Sequence, residues 1–126
     1  MLVLDSGGLS RLAARTKTSV SLIRALTAQE SWPPLVPTMV LVESLHGDVG
    51  RDANTNRFLK TCIIESAVSV DVARRAAELR RRARRGSAVD AVVVAIAEPG
   101  GTVLTGDRED IEALSAHADR VSVDVI

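Results

Sequence analysis

Five short strand-like runs, each separated from the next by helix-patterned chain, constrain this sequence most. They are Leu2-Val3-Leu4, Leu35-Val36-Pro37, Ala67-Val68-Ser69-Val70, Thr102–Thr105 and Val121–Ile126. Strands that alternate with helices imply a parallel sheet covered on both faces. We therefore expect an α/β chain, a three-layer α/β/α fold with a five-stranded, mostly parallel sheet. The segments between the strands carry helix signals. Leu9–Arg15 follows a tight turn at Ser6-Gly7-Gly8. A second helix runs from Ser19 or Ser21 to about Glu30, with Val20, Ile23 and Leu26 on one face, and Trp32-Pro33-Pro34 breaks it. Thr38 suits the N-cap of a helix from Met39 to His46, stopped by Gly47. Asp48–Asn56 reads as a loop or as the start of a helix through Phe58 and Leu59.

After the third strand, Asp71 is expected to cap a helix from Val72 to Arg85. Val72, Ala76, Leu79 and Ala83 form its one apolar stripe, and arginines fill the rest of its circumference. Asp90–Ala97 is ambiguous. Its three successive valines favour a strand. Ser87 as a cap, the alanines, and the exit Glu98-Pro99-Gly100-Gly101 favour a buried helix, and we read it so. Glu109–Ala116 is the last helix.

The chain of 126 residues makes one domain, residues 1–126, long enough for a real core. An apolar content of 46% argues against disorder. The longest apolar stretch is about seven residues, where a membrane helix takes about 20. A single cysteine, Cys62, excludes an internal disulfide and a cysteine-based zinc site. No basic segment precedes the first apolar run, and Asp5 and Gly7-Gly8 interrupt it, unlike a secretory signal. These features predict a soluble cytoplasmic protein with no membrane partner.

Against this background four acids stand out. Asp5 ends the first strand. Glu43 lies among Met39, Val40, Leu41 and Val42. Asp90 opens the run Ala91–Ala97, and Asp107 follows the fourth strand. Carboxylates in or beside core-forming segments are costly unless they are paired or bind a metal. Parallel topology can bring all four to the carboxyl edge of the sheet, where open α/β sheets bind ligands. Clustered carboxylates repel one another, and a hard divalent cation such as Mg²⁺ relieves that repulsion. Such a site supports metal-assisted hydrolysis of a phosphodiester. Ser6 and Thr105 neighbour the same edge and can orient a carboxylate or a water.

Each acid also has a local reading: Asp5 and Asp90 as helix caps, Asp107 as a turn residue, Glu43 as the partner of a buried arginine. Net charge is zero, yet Arg74–Arg85 holds seven arginines in twelve positions, with Glu78 the only acid among them. A dense arginine surface fits phosphate neutralisation, although a solvated helix face looks the same. The aromatics are only Trp32 and Phe58, so base stacking is not the expected mode of contact. His46 and His117 lack metal-ligand spacing and read as surface or loop residues, and Cys62 as a small core residue.

The segments Leu2–Leu9, Pro37–Glu43, Asp90–Ala97 and Val103–Asp107 together resemble, in order, the four motifs of PIN-domain ribonucleases. Size and motif order are most similar to VapC-type toxins of bacterial toxin–antitoxin pairs. The resemblance covers essentially the whole chain. It implies a Mg²⁺- or Mn²⁺-dependent endoribonuclease, a homodimer, and a cognate VapB-like antitoxin that fills the active groove. Carried over by position, Asp5, Glu43, Asp90 and Asp107 form the catalytic and metal-binding quartet, with Asp110 as substitute or helper at the variable fourth position. Arg80, Arg81, Arg82, Arg84 and Arg85 are the candidates for holding RNA backbone.

Two other classes compete. A non-catalytic interaction module of the same fold would use the acids to bind an arginine-bearing partner. A phosphoacceptor receiver domain resembles a pattern with paired acids after strand one and a late lysine; here Asp5 is single, and the only lysines are Lys17 and Lys60.

Overall fold

A computed structural model describes residues 1–126. Five strands, β1 (Leu2–Leu4), β2 (Leu35–Pro37), β3 (Ile63–Glu65), β4 (Thr102–Thr105) and β5 (Ser122–Val125), form one sheet in the order β3-β2-β1-β4-β5. Every pairing is parallel, so the expected mostly parallel sheet is wholly parallel. Seven helices connect the strands: α1 (Ser6–Ala13), α2 (Lys17–Ala28), α3 (Thr38–Ser44), α4 (Ala53–Leu59), α5 (Val70–Ala83), α6 (Ala88–Ala97) and α7 (Arg108–Ser115). Helices α2, α3 and α4 all pack on α1, while α5, α6 and α7 pack on one another. Two helical layers thus enclose the sheet, as right-handed crossovers running in opposite directions from β1 require.

The central strands are buried on both faces. Leu2, Val3, Leu4, Val103 and Leu104 are all at most 1% exposed. Helix α6 lies against β1 and β4 and buries Ala91 to Ala95 and Ala97, so apolarity all round its surface explains its strand-like composition. A capping box at Ser87 and Asp90 starts it. The α5 stripe is as expected: Ala76 and Leu79 are buried, and Val72 and Ala83 pack against the core.

Four local expectations fail. Ser6-Gly7-Gly8 is not a turn before the first helix but its opening residues, with Asp5 as the N-cap. Ala67–Val70 is not a strand. The third strand is Ile63–Glu65, an edge strand of largely exposed residues, so burial left no alternation to read in it. Helix α5 begins at Val70, because the Ser69 hydroxyl, not Asp71, accepts the Val72 N–H at 3.1 Å. Thr38 is the first residue of α3; Pro37 precedes it and supplies no side-chain cap.

Candidate metal centre

The sheet changes direction between β1 and β4: the chain builds outward from β1 through β2 and β3, then crosses over to β4 and β5. A crevice opens outside the carboxyl ends of strands at such a point. The register Leu4↔Leu104 sets the next residues, Asp5 and Thr105, side by side. Gly7 and Gly106 let the two following turns touch. A Cβ on Gly7 would stand 2.6 Å from the Gly106 nitrogen.

The crevice is a cavity of about 430 Å³ with no apolar residue in its wall. Asp5, Glu43, Asp90, Asp107 and Asp110 all line it, with Ser6 and Ser87 beside them. Thr105 lies beneath, fully buried. Of the acids only Asp5 is buried, at 5% exposure; Asp90 and Asp110 are half-buried, and Glu43 and Asp107 are exposed. Glu43, expected beside core-forming residues, is not buried with them. Val40 is buried in the core, while Glu43, three residues on near the end of α3, lines the crevice.

Asp5 is held at both oxygens. Its Oδ1 accepts the Gly8 N–H at 2.7 Å, and its Oδ2 accepts the Thr105 hydroxyl. Thr105 Oγ1 in turn accepts the Asp107 N–H at 2.8 Å, so one buried hydroxyl couples the two acids. Asp90 Oδ2 accepts the Ser87 N–H at 3.1 Å. Asp107 Oδ1 accepts the Asp110 N–H at 3.2 Å. Local roles thus exist for three acids: Asp5 caps α1, Asp107 caps α7, and Asp90 completes the capping box of α6. Three helix N-termini converge here, and their dipoles favour carboxylates.

Glu43 has no such role. It sits in the last turn of α3, the end of a helix that disfavours an acid, and it makes no side-chain hydrogen bond or ion pair. The buried partner arginine considered above is absent. Loss of hydration, then the charges of Asp90 and Asp5, push its carboxyl up from the ordinary value. Asp5 is pushed up as well, by burial first and by Asp90, against the opposing hydrogen bonds from Thr105 and Gly8.

The donor set fits a hard cation. Carboxylate oxygens of Asp90, Asp107 and Asp110 lie within 4.8 Å of one another; Asp5 and Glu43 of the expected quartet are outside this group. Oxygens bound at 2.0–2.6 Å to a shared ion are separated by up to about 5 Å. Asp110 also pairs with Arg85, which bonds its Oδ1 at 2.7 Å and Glu109 at 3.0 Å.

None of the five candidate arginines lines the crevice. Arg80 donates to the Gly86 carbonyl at 3.2 Å, Arg82 pairs with Glu78 at 3.3 Å, and Arg85 is engaged as above. Arg81 and Arg84 are exposed and make no ion pair. Arg75, within the same basic run, serves the fold: it grips both oxygens of Glu98 at 2.8 Å. Ser87 was legible only as a cap, and its place in the crevice wall follows from the three-residue spacing to Asp90. His46 and His117 are exposed, as expected. Cys62 is half-buried against the core, and burial pushes its thiol up to about 11.

No protein-family model and no curated protein matches this chain.

Proposed function

We propose that this chain is a metal-dependent endoribonuclease, the toxin of a VapBC-like toxin–antitoxin pair, with Asp5, Glu43, Asp90 and Asp107 as its working acids and Asp110 as helper. One observation carries the reading. Glu43 stands unpaired at an unfavourable helix end, faces Asp5 and Asp90, and gains nothing for the fold. A charge kept under those conditions is best explained by a cation or by chemistry. Bound Mg²⁺ or Mn²⁺ would polarise an RNA phosphodiester and make water a better nucleophile. Asp5, immobilised by Gly8 and Thr105, would orient the other ligands. Asp90 has one oxygen bound to Ser87 and the other free to bind. Glu43, with its raised pKa, is suited to take a proton from the attacking water. Arg81 and Arg84 are the backbone arginines free to meet RNA without first leaving a partner.

The test is cleavage of structured RNAs by the purified chain with Mg²⁺ or Mn²⁺. Cleavage is expected to stop in EDTA and to fall at least about 100-fold in Asp5→Asn, the scale of losing a fixed electrostatic group. Cleavage that survives both changes would defeat the assignment. The homodimer and the VapB-like antitoxin belong to the same reading. A short neighbouring gene whose product co-purifies with the chain and blocks cleavage would support them.

A second reading draws on the Arg85–Asp110 contact, in which the acid rim already accepts a guanidinium. In it the chain is a non-catalytic module that binds an arginine-bearing partner. Isothermal titration separates the two: tight binding of such a partner without divalent-metal binding would favour the module.

A further inference from the structure

A second polar cavity, of about 380 Å³, adjoins the acidic crevice, and Ser6 and Glu43 line both. Its other polar walls are Ser10, Ser44, His46, Arg51, Asn54 and Thr55, from α1, α3, α4 and the loop between α3 and α4. We propose that this cavity holds a backbone phosphate of the RNA strand, next to the phosphate at the acids, with Arg51 as its cation. The inference rests on the ribonuclease reading and extends it to how the substrate is held.

Three observations carry it. Arg51 is the only arginine or lysine in the wall, is exposed, and makes no ion pair, so its charge is available to a ligand. The loop that presents it is fixed in advance. Asp52, only 4% exposed, accepts the N–H groups of His46, Gly47 and Asp48 at 2.9–3.2 Å, and Asp48 accepts the Arg51 N–H at 2.9 Å. Those bonds hold the Asp52 carboxyl below the ordinary value, so the clasp persists at neutral pH. Finally, Ser44 Oγ, on this wall, is the one buried side-chain polar atom of the chain without a hydrogen-bond partner. It is a hydroxyl that the fold itself leaves unpartnered. Away from the shared Glu43 carboxylate the polar wall is hydroxyls, one amide, the His46 imidazole and one guanidinium, with no Phe, Tyr or Trp to stack a base, which suits a phosphate better than a base.

The test uses the full-length Asp5→Asn chain, so that RNA binding is read without cleavage. Affinity for short, labelled, random-sequence single-stranded RNA is measured over a potassium chloride series. Arg51→Gln added to this chain is expected to weaken binding several-fold and to reduce the salt slope by about 0.7, the loss of one phosphate contact on a single strand. Lys60→Gln, an exposed cation outside both cavities, is expected to leave the slope unchanged. Equal effects of the two substitutions would mean diffuse attraction and would overturn the proposal. An unchanged slope with Arg51→Gln, or no RNA binding at all, would also overturn it. In the otherwise native chain, Arg51→Gln is expected to raise KM with kcat within about twofold, since the cation binds remote from the reacting bond. The ribonuclease reading is judged separately, by metal-dependent cleavage and its loss in Asp5→Asn.

Discussion

Replacing Gly7 by alanine probes the junction on which the crevice depends. The added Cβ would stand 2.6 Å from Gly106 N and 2.8 Å from Gly106 Cα, both backbone atoms, and 3.4 Å from Asp5 Oδ1. Carbon atoms in contact normally lie about 3.5–4.0 Å apart, so the two turns must separate by about 0.8 Å. Overpacking of one methyl costs about 1–3 kcal/mol, and here the neighbours are main chain, which cannot rotate away. The better helix propensity of alanine returns less than about 1 kcal/mol in the first turn of α1. A net loss of about 1.5 kcal/mol corresponds to a fall in Tm of about 6 °C for a domain of this size. If the chain is the proposed nuclease, the larger effect is expected on cleavage, because the separation moves Asp107 away from Asp5. A displacement of this order can cost about 100-fold in rate. The assays are thermal denaturation and RNA cleavage, with Gly50→Ala as the control. A Cβ there meets only Asp48 Oδ1 at 3.4 Å, and its Tm should stay within about 2 °C. If Gly7→Ala melts with the native chain and cleaves at the native rate, the close approach of the two turns does not shape the site.

Two further outcomes test the electrostatics. Asp5 and Glu43 both have raised folded-state pKa values, so their contribution to stability is full below the ordinary carboxylate range and is lost as pH rises through the raised values. Glu43→Gln should therefore raise the Tm of the metal-free chain at neutral pH, leave it unchanged below about pH 4, and, on the proposed metal-site reading, reduce the stabilisation expected from added Mg²⁺. A Tm difference independent of pH would refute the crowding of Glu43 by Asp5 and Asp90. At the far edge of the fold, Arg75→Ala should cost about 2 kcal/mol, because Glu98 keeps only the Asp119 N–H at 2.7 Å. Glu98 has a lowered pKa, so the native chain should lose this stabilisation as pH falls through that lowered value, and the variant should not. Arg75→Lys should recover less than half of the loss, since an ammonium cannot bridge both oxygens; an equal denaturant midpoint for lysine and arginine would refute the two-pronged grip.

The order of strands and helices was legible because each element carries its own local signal. Val72, Ala76, Leu79 and Ala83 repeat at helical spacing, and Ser87 with Asp90 marks a helix start three residues apart. The third strand was misread for a matching reason. Val68-Ser69-Val70 alternates like a strand, but Ser69 bonds its own backbone at Val72 and starts α5, while the actual strand is three largely exposed edge residues. At that edge, pairing with β2 decides the structure, and hydropathy does not record it.

Asp5 and Asp90 were visible in the sequence as helix caps and Asp107 as a turn residue after the fourth strand, and local chemistry alone accounts for that much. Parallel topology predicts them at one edge of the sheet, but the construction of the crevice there was not visible. It depends on the order β3-β2-β1-β4-β5, on the register that sets Asp5 beside Thr105, and on two glycines that let the turns touch. Residue spacing reports what a chain does within a turn or two of itself. Pairing between segments a hundred residues apart is set by packing, and packing turned Glu43 out of the core to face Asp5 and Asp90. It also bound Arg85 to Asp110, left Arg51 unpaired, and so separated cations engaged by the fold from those free to meet a ligand.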